Sequence, residues 1–372
     1  MQRGVSHGAR VPGYSIIIPE ETLIRASDYL TGLRTGRIHP GARLRDRLRG
    51  SDMEALSALD LVGRLVDTKP AQIFAESAVC GDGSDWTLPE LGLLGDVSIA
   101  VPVTIFDDGN HRSPRPHPAP FAGTLLFIPG ALLRNGRGHS PADWNEVTLA
   151  DGRLSAEGYY GLYRRRLLPV FQYINDRAAT GRAAFVTVPG LGCGQFAGPF
   201  QGLLGAHLQA TLQRFLGEYG AAFPNVKAVY FDPYSECEDA RVEIEGISLM
   251  VRPLQRSGHR GKSQLCQPAE YAEQGDDFSG CTLYSLVAWD HVSWPGNDFF
   301  AGSRATDDGV KAAATNSMAE LTGIEGQYDA GRGKYQPPEP YRVWQEVVDD
   351  GMRTRGLRLW NPAVVWHPPE PS

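Results

Sequence analysis

Four carboxylates crowd one stretch of the chain, AWDHVSWPGNDFFAGSRATDDGVKAAAT from Ala288 to Thr315: Asp290, Asp298, Asp307 and Asp308. The stretch leaves an apolar run that reads as a strand, passes Gly296 and Gly302, and enters an alanine-rich helix at Asp308. One acid at such a place is an ordinary helix cap, and Asp307 or Asp308 fits that role. Four acids beside Asn297 and two tryptophans point further, to a sugar site. Carboxylates gathered around a sugar ionise differently, so that one positions or activates water while another orients a hydroxyl.

A second stretch, FVTVPGLGCGQFAGPF from Phe185 to Phe200, runs from a strand through Gly190, Gly192, Gly194 and Gly198 into a helix striped by Leu204, Leu208, Leu212 and Phe215. Glycines there let backbone N–H groups approach an anion at a helix start, which suits a phosphate or pyrophosphate. The dinucleotide fingerprint is met only in its weak form, Gly192-x-Gly194-x-x-Ala197, and Asp232 comes too late to be its acidic partner. A dehydrogenase is therefore a poor fit. Cys193 reads as a small thiol in a close-packed turn rather than a nucleophile. The GHRGKS segment around Lys262 imitates a phosphate-binding P-loop, but Arg256 stands where its first glycine belongs.

Composition narrows the classes. The 372 residues carry a net charge of −7, which argues against a general nucleic-acid binder, and the basic run Arg164 to Arg166 reads as a solvated helix face. No apolar run approaches the roughly 18 residues of a membrane span. The first residues lack the apolar core of a secretory signal, so the expected location is cytoplasmic. The five cysteines, at positions 80, 193, 237, 266 and 281, form no CxxC pair and read as reduced thiols. No acid, His or Cys set has convincing metal-ligand spacing; Asp290-His291 is isolated, and a hydrogen-bonding histidine is the better reading. No metal and no cofactor are expected.

The elements that must hold these loops read as an α/β layer fold, its sheet covered by helices on both faces. Strands are expected at 97–106, 123–130, 183–188, 226–231, 242–251 and 281–289, and helices at 155–177, 200–219 and 308–321, with Pro169 kinking the first of them. An earlier helix is expected to be capped by Ser51 with Glu54, and to turn Leu56, Leu59 and Val62 or Gly63 inward. Residues 107–122 read as an exposed proline-rich loop, residues 335–340 as a proline-rich connector, and the last dozen as a loose or docked tail. The expected division is an N-terminal accessory helical region over 1–95, a core over 96–330 and a C-terminal extension over 331–372.

At the two loops the chain resembles the macrodomain family. VPGLGCGQFAG with AVYFDPY is similar to the second phosphate loop and following strand of that fold, and PGNDFFAGSRATDDGVKAAAT to its first loop. The two occur in reversed order, and with the spacing of Asp290, Asp298 and Asp308 this resembles the MavL-like effector hydrolases, which remove ADP-ribose from an arginine of ubiquitin. The resemblance implies a three-layer mixed sheet with rearranged loop order. It implies that Asp290, Asp298 and Asp308 are the essential acids, and that Asn297 lies near the distal ribose. Gly190, Leu191, Gly192, Cys193, Gly194, Gln195 and Phe196 would form the diphosphate loop, with Phe231 stacking on adenine beside Asp232. The usual glycine run is Ala301-Gly302-Ser303-Arg304 here, which implies that Arg304 supplies charge in place of bare amides. The implied reaction is hydrolysis between C1 of the distal ribose and an arginine guanidino nitrogen. In it Asp308 positions water, Asp298 contacts ribose or guanidinium, and Asp290 orients one of them. The alternatives are a non-catalytic ADP-ribose-binding module and a poly(ADP-ribose) glycohydrolase-like enzyme, although Glu236-Cys-Glu238 does not sit where that enzyme places its paired glutamates. The implied partners are ADP-ribose and an ADP-ribosylated protein, with ubiquitin as the candidate; neither nucleic acid nor membrane is among them.

Overall fold

The structure, a computed structural model, describes residues 13–73, 79–256 and 258–368. Its first elements are β1 (Ser15–Ile17), α1 (Glu20–Arg34), α2 (Ala42–Leu48), α3 (Ala58–Val66) and α4 (Leu88–Gly95). There follow β2 (Ser98–Asp107), β3 (Pro116–Pro129), α5 (Trp144–Val147), α6 (Ala156–Ala179), β4 (Ala184–Pro189), α7 (Leu204–Tyr219) and β5 (Val226–Asp232). After these come β6 (Ala240–Ile244), β7 (Ile247–Val251), β8 (Thr282–Trp289), α8 (Asp307–Ala313) and α9 (Ser317–Thr322). The last are β9 (Gln327–Asp329), β10 (Lys334–Gln336), α10 (Trp344–Thr354) and β11 (Val365–Trp366).

Among the described residues nine strands make one sheet in the order β11-β1-β2-β3-β8-β4-β5-β7-β6. β3, β8, β4, β5 and β7 run parallel, while β2 and β6 run against their neighbours. Side-chain alternation along each strand divides the core between the two faces. Leu125, Phe127, Leu283 and Val287 turn toward one apolar cluster with residues of α1, α3, α4, α8, α9 and α10. Leu126, Ile128, Val186 and Leu286 turn to the other, packed by α6 and α7. This is the expected three-layer mixed sheet, but the region expected to be accessory is part of it: β1 is one of its strands, and α1 to α4 pack in its first apolar cluster.

Several boundaries differ from those expected. The early helix starts at Ala58, where Ser57 and Asp60 make the capping box, because Arg34 holds the carbonyls of Met53, Glu54 and Leu56 and keeps that segment from coiling. Pro169 lies within α6, which runs unbroken for 24 residues; burial of Leu167, Val170 and Phe171 against the sheet outweighs the lost hydrogen bond. The stretch at 242–251 is a hairpin rather than one strand, since Glu245 and Gly246 both take positive φ (48° and 80°), the turn that matches strand twist. The second half of the proline-rich segment is the outer part of β3. It tolerates Pro118 and Pro120 because β8 pairs only with Gly123–Pro129, which leaves the outer half an edge. The helix expected at 308–321 is two, α8 and α9, broken where the Asn316 carboxamide accepts the Thr104 amide at 2.7 Å. In the proline-rich connector, β10 pairs with β9, and the tail docks as β11 beside β1.

Candidate active site

The parallel strands β3, β8, β4 and β5 all end on one edge of the sheet, at Pro129, Trp289, Pro189 and Asp232. β8 lies between β3 and β4, and the chain passes from β8 to α8 on one face of the sheet and from β4 to α7 on the other, so the loops after β8 and β4 diverge at the point where open α/β sheets form a ligand crevice. The acidic loop follows β8 and the glycine loop follows β4, which brings the two stretches singled out in the sequence to one place.

Close packing shapes the glycine loop. A Cβ on Gly130 would lie 2.3 Å from the Gly192 nitrogen, and Gly192, at φ +71°, would meet Ala131 at 2.8 Å, so the loops after β3 and β4 approach backbone to backbone. The Tyr163 hydroxyl receives the Ala131 amide at 3.0 Å and donates to the Leu191 carbonyl at 2.6 Å, pinning both. Leu191 is buried, and burial pushes the Cys193 thiol well above its usual range, so this cysteine is an inert part of the turn. Gly194 is exposed, with open space where its Cβ would stand; Gln195 beside it accepts from Arg134 at 3.0 Å, and Phe196 gives its carbonyl to the Leu133 amide at 2.8 Å.

Asp290, at the end of β8 and 5% exposed, accepts the Val292 and Ser293 amides at 2.8 and 2.7 Å and the Ser293 hydroxyl at 2.6 Å. Asp298 is half-buried and accepts the amides of Ala305 and Thr306 at 3.0 and 3.1 Å. Asp308, in the first turn of α8 and 4% exposed, accepts the Asn297 amide at 3.0 Å. Thr306 caps α8, its hydroxyl accepting the Gly309 amide at 3.2 Å. This corrects the expectation that Asp307 or Asp308 is the cap: the threonine one residue earlier takes the amide, and neither acid is needed for it. The same hydroxyl lies 2.7 Å from Asp298 Oδ1 and 2.6 Å from Asp308 Oδ1. Gly309 makes room for this arrangement, since a Cβ there would stand 1.6 Å from Asp298 Oδ1. Burial pushes the Asp308 carboxyl well above the usual carboxylate range, and the charges of Asp290, Asp298 and Asp307 push the same way against the Thr306 hydrogen bond.

Other expected ligand residues are engaged elsewhere. The Asn297 carboxamide accepts the Ile73 amide at 2.8 Å and donates to the Ile73 carbonyl at 3.0 Å, so it ties the N-terminal region to the acidic loop. Arg304 grips Asp107 with both terminal nitrogens, at 3.0 and 2.8 Å, which neutralises the charge expected for a diphosphate. Ser303 is exposed, and Gly302 ends the turn at φ +82°, its carbonyl taken by Lys334. Phe231 has no exposed surface and packs in the core, so its ring is no platform for adenine. Asp232 accepts the Tyr234 and Leu254 amides, both at 2.8 Å, and burial raises its carboxyl. Glu236 accepts the Gly205 amide and Glu238 pairs with Arg256, away from the acidic loop.

A buried ionic layer supports the crevice from below, and the sequence reading missed it. Arg166, fully buried, donates to Asp143 at 2.8 Å and to the carbonyls of Pro129 and Gly130 at 3.1 and 3.0 Å, while Arg165 reaches Asp96 at 2.9 Å. Of the run expected to be a solvated face, only Arg164 reaches solvent. His291 bonds Asp143 at 3.1 Å, as a hydrogen-bonding histidine should, and Lys69 donates to the His291 carbonyl at 2.5 Å. Lys311, 1% exposed, joins Asp307 and Gln264 at 3.1 and 3.2 Å. For metals, the described residues offer one group, Cys80, Asp82 and His139, whose ligand atoms lie within 4.8 Å of one another. The Arg137 guanidinium, 3.3 Å from Cys80 Sγ, opposes a cation there.

A mixed sheet with helices on both faces, and two loops meeting above its parallel strand ends, defines a macrodomain-like α/β protein. The chain belongs to the family described as macrodomain effector MavL, which it matches over residues 14–341. No curated protein matches it. Among the described residues no helix is long and apolar enough to cross a membrane.

Proposed function

We propose that the crevice binds ADP-ribose and hydrolyses the bond between C1 of its distal ribose and a guanidino nitrogen of a modified arginine, with ubiquitin as the candidate carrier protein. The observation that carries this reading is the set of Asp290, Asp298 and Asp308, drawn together with burial and mutual repulsion keeping Asp308 protonated more readily than an ordinary acid. Departure of the guanidine leaves positive charge on the ribose, which ionised carboxylates stabilise. Half-buried Asp298 is the acid that meets the substrate, the role expected of it from sequence, and buried Asp308 governs its charge in place of the water-positioning role expected of it. Asp290 holds the loop through its Ser293 bonds. The exposed turn at Gly194 and Gln195 is the diphosphate side of the crevice. The family's description as an effector supports delivery into a host cell.

The test is the product. Arginine-ADP-ribosylated ubiquitin incubated with the protein is expected to release free ADP-ribose, and Asp298→Ala to abolish release. Calorimetric binding of ADP-ribose with no release by the native protein would instead establish the binding-module reading.

A further inference from the structure

We propose that Asp298, Thr306 and Asp308 hold one shared proton, and that the Thr306 hydroxyl passes it between the half-buried acid and the buried one; its use in turnover rests on the hydrolase reading above. A hydroxyl has one proton to give and two lone pairs. Thr306 Oγ1 stands 2.7 Å from Asp298 Oδ1 and 2.6 Å from Asp308 Oδ1 and already accepts the Gly309 amide. Its single proton satisfies one carboxylate. The other contact, if both acids were ionised, would set a hydroxyl lone pair against an anionic oxygen at hydrogen-bond distance. The second proton must therefore come from a carboxyl group.

Asp308 is the carboxyl that carries it. Asp308 accepts one backbone amide where Asp298 accepts two, and it lies in the interior, which favours its neutral form. The charges facing Asp308 are Asp290 from the end of β8, Asp298 from the preceding turn, and Asp307 and Lys311 of its own helix. Lys311 is bonded to Asp307, Gln264 and the Leu286 carbonyl, and Lys334 of β10 to the Gly302 carbonyl. With Asp308 protonated the arrangement saturates: its O–H donates to Thr306, and Thr306 donates to Asp298.

In turnover the chain runs both ways. As the C1–N bond breaks and its electron pair goes to the guanidino nitrogen, Asp298 gives that nitrogen a proton drawn from Asp308 through Thr306. Both carboxylates then face the ribosyl cation. Water bonds to C1, its proton goes to Asp298, and Thr306 returns a proton to Asp308. Thr306 is thus a positioning residue acting through its neighbours.

The test compares Thr306→Ser and Thr306→Asn, both of which keep a helix-capping side chain. Only serine has a hydroxyl to pass a proton. Thr306→Asn is expected to melt near the wild-type temperature and bind ADP-ribose normally. Its single-turnover rate should fall about 10²-fold or more, and its alkaline limb should move to lower pH, because the amide donates to both carboxylates and favours their ionised forms. Thr306→Ser should rescue the rate. A wild-type rate and pH profile in Thr306→Asn overturns the proposal. Titration of ¹³C-carboxyl-labelled aspartates in the native protein, with Asp308→Asn for assignment, reads the proton without turnover. A high-titrating Asp308 that drops in Thr306→Asn, in a protein that releases no ADP-ribose, keeps the shared proton and removes the hydrolase reading; an ordinary Asp308 overturns the shared proton itself.

Discussion

At the residue scale, Asp308 is a cost to the fold. Burial and then Asp290 raise its folded pKa above the unfolded value of about 3.9, so between those values the folded state binds more protons than the unfolded one. Stability must then fall as pH rises through that window, and the full cost stands above the folded pKa. Asparagine reproduces the protonated acid: its oxygen accepts the Asn297 amide, and its N–H donates to Thr306. Asp308→Asn is accordingly expected to match wild type in thermal unfolding near pH 4 and to exceed it by about 1–2 kcal/mol at neutral pH, while losing turnover by about 10²–10⁴-fold. Equal gains at both pH values would show that the carboxyl titrates normally.

At the element scale, α6 holds the crevice in place through Arg166. Burial would raise Asp143, but Arg166 and His291 more than offset it and hold its carboxyl below the usual carboxylate range. That stability is present above the unfolded pKa and is lost as pH falls through the folded one. Arg166→Leu leaves Asp143 a buried charge held only by His291 and the Leu132 amide, at about 3–5 kcal/mol. Urea unfolding should show this loss at neutral pH and a smaller one near pH 4, where Asp143 can protonate; a loss independent of pH would assign the effect to packing alone. Of this layer only His291, as a hydrogen-bonding histidine, was visible in the sequence. Strand ends, the glycine turn and the acidic loop were legible because strand, turn and cap signals are local. Partners far along the chain were not: Asn297 meets Ile73 across 224 residues, Arg304 meets Asp107 across 197, and Arg165 meets Asp96 across 69. A carboxamide or guanidinium looks free for a ligand until its distant partner is known. Even the cap was ambiguous, because Thr306, Asp307 and Asp308 are adjacent residues of similar capping power.

At the scale of the molecule, the family match stops at residue 341 while the core does not. Trp344, Val347 and Val348 of α10 and Leu359 beyond it join the same apolar cluster as β2, β3 and β8. At about 1.5–3 kcal/mol for each buried side chain, they match the whole stability of about 5–15 kcal/mol expected for a domain. A chain ending at Tyr341 is therefore expected to lose cooperative thermal unfolding by circular dichroism. A sharp transition at the native temperature would make α10 a dispensable appendage.

The position of β8 also sets an order of events. It lies between β3 and β4 but follows both in the chain, after β5, β6 and β7. Until residues 282–289 emerge and insert, β3 and β4 each present an unpaired edge, an arrangement open to pairing with other chains. Such a late, long-range closure is slow, since its loop entropy must be overcome before the central pairing forms. The strand that closes the sheet is also the one that delivers Asp290 and the acidic loop. Folding and arming of the crevice are thus a single step, and a nascent or partly unfolded chain carries the glycine loop with no acids facing it.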